Sequence, residues 1–155
     1  MEVKLQVNVY KGLPMVLEKV KSVALSAVIG KSNAWLNQKL THCIVKGRAA
    51  EFYPQDLPLL NEGIGRLGDE ILSSLVVYSS EREQVVEQMK ALAKMVSMPY
   101  IYGDVMKKQR FWYTARTQRC SPGCRVCSFS EDDVLAINMN AMRIASELKS
   151  LEFVL

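Results

Sequence analysis

The stretch "GKSNAWLNQKL" (residues 30–40) decides how the rest of the chain is read. Gly30 closes an apolar segment containing Val23, Leu25, Val28 and Ile29. Ser32 is placed to cap a short helix carrying Trp35, Leu36 and Leu40. With those three turned inward, Asn33, Ala34, Asn37 and Gln38 are left facing out, between Lys31 and Lys39. The outer face of this small helix therefore holds amides and lysines and no acid.

The same pattern returns 77 residues later. An ungapped shift puts Val28 on Val105, Lys31 on Lys108, Trp35 on Trp112, Cys43 on Cys120 and Arg48 on Arg125. It also puts Phe52 on Phe129, Asp56 on Asp133, Asn61 on Asn138, Arg66 on Arg143, Glu70 on Glu147 and Ser73 on Ser150. Both tryptophans of the chain coincide, which points to a tandem duplication. Copy one spans 11–78 and copy two 80–155, with residues 1–10 as an N-terminal strand or arm.

Helix signals follow the repeat. Pro14 suits the first turn of a helix, and Gly30 ends the next one. Pro54 opens a long helix with Leu57, Leu60, Ile64, Leu67, Ile71 and Leu75 at helical spacing. "SEDD" (130–133) caps its counterpart, whose stripe is Val134, Ile137, Ala141, Ile144 and Leu148. "SERE" (80–83) reads as another capping box, ahead of Val85, Met89, Leu92 and Val96. The fold class is all-α: two helical units, with short β-strands at the termini. "EVKLQVNVY" alternates Val3, Leu5, Val7 and Val9, and "LEFVL" alternates Leu151, Phe153 and Leu155. These strands can pair with each other, or unpaired they offer a route to a homodimer.

Each copy contains two short helices joined by a tight turn. The residues of copy one resemble the Cro and phage-repressor family of helix-turn-helix proteins. Leu25 and Ile29 are apolar, Ser26 is small at the helix crossing, Gly30 occupies the turn and Leu36 lies six residues on. The resemblance covers residues 13–75. In copy two, Tyr102, Gly103, Met106 and Tyr113 keep the pattern, but Lys107 stands at the turn glycine. The resemblance implies that the second short helix enters the major groove of DNA. It makes Asn33, Ala34, Asn37 and Gln38 base contacts in copy one, and Gln109, Arg110, Thr114 and Arg116 in copy two. Amides suit adenine, Arg suits guanine and Ala tolerates a thymine methyl. Lys31, Lys39, Lys46, Arg48, Lys107, Lys108, Arg119 and Arg125 suit phosphates. The biological setting it implies is a regulator carried by a phage or plasmid.

Charge agrees with a polyanionic partner. Residues 31–48 carry four cations and no acid, and residues 104–125 carry six against Asp104. The chain's net charge is +4, so the remainder is −5. Positive charge in two windows marks an anion-binding surface. No apolar run reaches the roughly 18–20 residues that span a bilayer, and the N-terminus lacks the apolar core of a signal peptide. These features lead us to expect a cytoplasmic protein without membrane or small-molecule partners.

"CSPGCRVC" brings Cys120, Cys124 and Cys127 close in sequence. Three thiolates could hold zinc, with Cys43 or His42 as a fourth ligand. Cys43, however, aligns with Cys120 and belongs to the other copy, so reduced cysteines without metal are expected. The C-x3-C-x2-C spacing also matches an iron–sulfur motif of radical enzymes, but no barrel-sized domain follows it. His42 beside Cys43 is a poor nucleophile–base pair, because adjacent residues rarely face each other. No catalytic constellation or cofactor-binding motif emerges. The rival to DNA binding is a protein–protein interaction module presenting "RFWY" (110–113), with a single-stranded nucleic-acid binder between the two. Surface position separates them: buried tryptophans with the amide and basic faces pointing the same way favour duplex DNA, and Phe111 exposed together with Trp112 favours a protein partner.

Overall fold

The computed structural model describes residues 3–118 and 127–155. Helices dominate. In chain order the elements are β1 (Leu5–Asn8), α1 (Val9–Lys19), α2 (Ser22–Ile29), α3 (Asn33–Thr41), β2 (Ile44–Val45), β3 (Arg48–Ala49) and α4 (Asp56–Ser73). They continue with α5 (Arg82–Leu92), a π-helical turn (Pro99–Val105), α6 (Arg110–Thr117), α7 (Glu131–Ser150) and β4 (Leu151–Val154).

The helix boundaries repeat at the same 77-residue offset. α2 opens at Ser22 and the π-helical turn at Pro99; α3 opens at Asn33 and α6 at Arg110. α4 ends at Ser73 and α7 at Ser150. The Asp56 carboxylate accepts from the Tyr53 N–H at 2.8 Å, and the Asp133 carboxylate from the Ser130 N–H at 2.9 Å. Both long helices thus begin under a carboxylate that satisfies an amide ahead of the first turn. Ser130 completes a capping box by accepting from the Asp133 N–H.

α4 and α7 form the most extensive helix–helix interface among the described residues. Leu60, Ile64, Leu67 and Ile71 on one side, and Val134, Ile137, Ala141, Ile144 and Leu148 on the other, are buried as their spacing predicts. The two helices meet where Gly68 lies against Ala145, its own 77-residue counterpart. On either side of that crossing, matching hydrogen bonds exchange the tails of the copies. The Asn61 amide donates to the Phe153 carbonyl and accepts from the Phe153 N–H, at 3.1 and 2.7 Å. The Asn138 amide does the same with Val76, at 2.7 and 2.9 Å. Each long helix therefore holds the tail that follows the other, an approximate two-fold arrangement within one chain. Buried residues of both halves make one hydrophobic core.

The terminal strands pair with each other in parallel, Leu5 opposite Leu151 through Asn8 opposite Val154. The partner for β1 is thus supplied by the same chain, which removes the unpaired-strand argument for a homodimer. Two helix starts differ from expectation. α1 begins at Val9, because the Asn8 side chain accepts from the Tyr10 N–H and caps it there; Pro14 falls inside the helix. α5 begins after Glu81 with no side-chain cap, since it is Ser79 that accepts the Glu81 N–H. Among the described residues no helix is long and apolar enough to cross a membrane.

Candidate nucleic-acid interface

In copy one the turn between α2 and α3 is built by Gly30 at φ 73°, ψ 23°. Its N–H reaches the Ala27 and Ser26 carbonyls, satisfying groups the helix end leaves open. The Ser32 hydroxyl accepts from the Trp35 N–H at 3.0 Å and starts α3. Leu25, Ile29 and Leu36 are buried, and so is Ser26, whose hydroxyl donates to the Val23 carbonyl. α2 is pressed onto α4 at Gly63, where a β-carbon would come within 2.1 Å of Ile29 Cγ2.

Copy two turns at the same position with a different residue, after a π-helical rather than an α-helical segment. Lys107 takes φ 60°, the left-handed conformation of Gly30. The Lys108 N–H then donates to the Tyr102 carbonyl at 2.7 Å. The aliphatic pair Leu25 and Leu36 is replaced by Tyr102 and Tyr113, stacked at 5.0 Å and 14°. Burial, and secondarily the neighbouring Tyr102, push the Tyr113 phenol up to about 12. A β-carbon on Gly103 would meet nothing within 4 Å, so the crossing here does not demand a small residue.

Both tryptophans are half-buried and held in the same clasp. Trp35 meets Phe52 edge-on at 6.1 Å, and Trp112 meets Phe129 edge-on at 5.6 Å. Lys31 Nζ lies 5.6 Å from the Trp35 ring, and Lys108 Nζ 5.8 Å from that of Trp112. A second cation covers each ring: Lys39 at 4.9 Å and Arg116 at 4.5 Å.

Those second cations overturn two expectations. Lys39 is not a free phosphate contact: its Nζ bonds Asp56 at 2.8 Å and the Glu51 carbonyl at 3.1 Å, and its side chain is 13% exposed. Arg116, placed among the base contacts, pairs with Asp133 at 3.7 Å and donates to the Trp112 carbonyl. Both tie the second short helix to the start of the long one. The repeat itself carried that signal, since a cation and an acid recur together at 39/56 and 116/133.

Among the outward candidates, Ala34, Asn37, Gln109 and Arg110 are exposed, while Asn33, Gln38 and Thr114 are half-buried. The Asn33 side-chain oxygen is buried without a hydrogen bond, and the Thr114 hydroxyl donates to the Phe111 carbonyl. Lys31, Lys46, Arg48, Lys107 and Lys108 are exposed. Lys46 and Arg48 stand on a β2–β3 hairpin where a loop was expected. Lys46 at φ 50° and Gly47 at φ 80° form its tip, the two left-handed residues that a tight hairpin needs. Arg119, Arg125, Cys120 and Cys124 lie outside the described residues.

Cys127 is buried and disulfide-bonded, against the expectation of a reduced thiol, while Cys43 is free and exposed. The exposed His42 ring lies tilted against Tyr10 at 4.7 Å, and the Tyr10 hydroxyl accepts from the Phe52 N–H. It therefore serves packing around the α3 terminus. Among the described residues no cluster of three or more His, Cys, Asp or Glu is arranged to hold a metal ion.

No family model, curated protein or solved structure matches this chain.

Proposed function

We propose that this protein binds double-stranded DNA sequence-specifically, as a transcriptional regulator carrying two helix-turn-helix readers on one chain. The observation that supports this most is the repetition of a left-handed turn residue, at Gly30 and Lys107, each followed by a short helix with outward polar residues and exposed cations. Asn37 in copy one, with Gln109 and Arg110 in copy two, offers the donors and acceptors that base edges require. Lys31, Lys46, Arg48, Lys107 and Lys108 supply phosphate contacts that are independent of sequence. The outward sets differ between the copies, so the preferred site is non-palindromic. Regulation of the mobile-element kind rests on the family resemblance alone.

The test is selection of a binding site from random duplexes, followed by titration of variants on it. Asn37→Ala should relax preference at one base pair. Lys108→Ala should weaken all duplexes alike and flatten the salt slope by about one unit. Variants that bind the selected site as the parent protein does would refute this assignment of the reading surface.

The rival protein-interaction reading required Phe111 and Trp112 to be exposed together. Trp112 is half-buried between Phe129, Lys108 and Arg116, so the exposed aromatic surface there narrows to Phe111.

A further inference from the structure

Phe111 is 74% exposed, on the first turn of α6. Its ring takes no part in the aromatic cluster formed by Tyr102, Trp112, Tyr113 and Phe129. Among the described residues no ring contact accounts for an aromatic at this position. Its near neighbours in sequence are cationic: Lys107, Lys108 and Arg110 are all exposed. An apolar protein partner would have to bury those charges along with the ring, whereas a polyanion is matched to them. The 77-residue offset places Phe111 on Ala34, which is exposed at the same point of α3. Both reading helices thus present an apolar side chain outward at one register, among polar and charged neighbours.

Apolar side chains in the major groove recognise the 5-methyl group of thymine, which no other base carries. We infer that Phe111 is a specificity-determining residue that contacts a thymine methyl in the half-site read by copy two, and that Ala34 fills the smaller equivalent role in copy one. This rests on the proposed DNA-binding reading.

Thymine-to-deoxyuridine replacement, one position at a time in a selected duplex, removes the methyl and leaves base pairing intact. The parent protein should lose about fourfold in affinity at one thymine, the effect of one buried methyl group. Phe111→Ala, at an exposed site, should bind the thymine duplex more weakly and no longer distinguish the two bases, while Phe111→Leu restores the discrimination. Equal binding of thymine and deoxyuridine duplexes by the parent protein would overturn the inference while leaving DNA binding intact. So would discrimination at a thymine of the half-site read by copy two that survives in Phe111→Ala. Tighter binding of oligo(dT) single strand than of duplex, lost in Phe111→Ala, would instead make the ring a stacking platform and overturn the inference. Absence of any duplex binding at low salt would remove the underlying reading itself.

Discussion

The two copies share a backbone plan and fill it by different means. In copy one, aliphatic Leu25 and Leu36 seal the helix-turn-helix, Gly30 makes its turn, and Gly63 lets Ile29 sit directly on the long helix. In copy two, stacked tyrosines replace the leucines, Lys107 takes the left-handed turn, and Asn140 stands at the Gly63 position. Met106, the counterpart of Ile29, is only half-buried. What both copies keep is a clasp of tryptophan, phenylalanine, cation and capping carboxylate that fixes the second short helix to the long helix. Such a scaffold tolerates repacking of its small core as long as the clasp and the turn backbone are kept.

The largest effect should come from the sealed side of this contrast. Leu36→Ala empties a fully buried site and should cost about 2–5 kcal/mol in denaturant unfolding. Tyr113→Ala, at a half-buried site, should cost less; equal costs would erase the contrast. Next comes the clasp. Lys39→Ala leaves a shielded carboxylate without its cation and should cost about 1–3 kcal/mol. Arg116→Ala should cost less, because its contact with Asp133 is 3.7 Å against 2.8 Å for Lys39 with Asp56. The reverse order would show that stacking on tryptophan outweighs the ion pair.

Smaller still is the turn. Lys107→Gly relieves a left-handed side-chain residue and should stabilise by about 1 kcal/mol, whereas Gly30→Ala should destabilise by a similar amount. A destabilised Lys107→Gly would mean that the lysine side chain is needed where it stands. The last effect is absent at neutral pH and confined to alkaline pH. The folded-state Tyr113 phenol is raised from an ordinary 10 to about 12. The stability it contributes is complete below about pH 10 and is lost as pH rises toward 12. Tyr113→Phe should therefore reduce the fall in melting temperature across that window, and an unchanged fall would remove Tyr113 as its source.

Much of this architecture could be read from residue order. The long-helix stripes, the Gly30 turn, and the Ser32 and Ser130 caps follow from local chemistry, and local chemistry decides them. The start of α1 could not be read from Pro14, because Asn8 caps the helix earlier, where the pairing of β1 with the distant β4 releases the chain. "SERE" matched a capping box, yet Ser79 took the amide instead. The β2–β3 hairpin escaped because Lys46 accepts a left-handed conformation usually taken by Asn or Gly. In the candidate interface, outward Ala34, Asn37, Gln109 and Arg110 followed from helical spacing. Lys39 and Arg116 were misassigned, because charge alone does not tell a cation facing solvent from one turned back onto an acid 17 residues later.

The DNA-binding proposal stands on a phosphate-contacting surface on the side of the two short helices α3 and α6. Fluorescence anisotropy of a labelled random-sequence duplex, titrated at low and then moderate salt, tests it most directly. Binding is expected at low salt and should weaken steeply as salt rises, with a log–log slope reflecting several released counterions. No binding at low salt, or binding indifferent to salt, would contradict it.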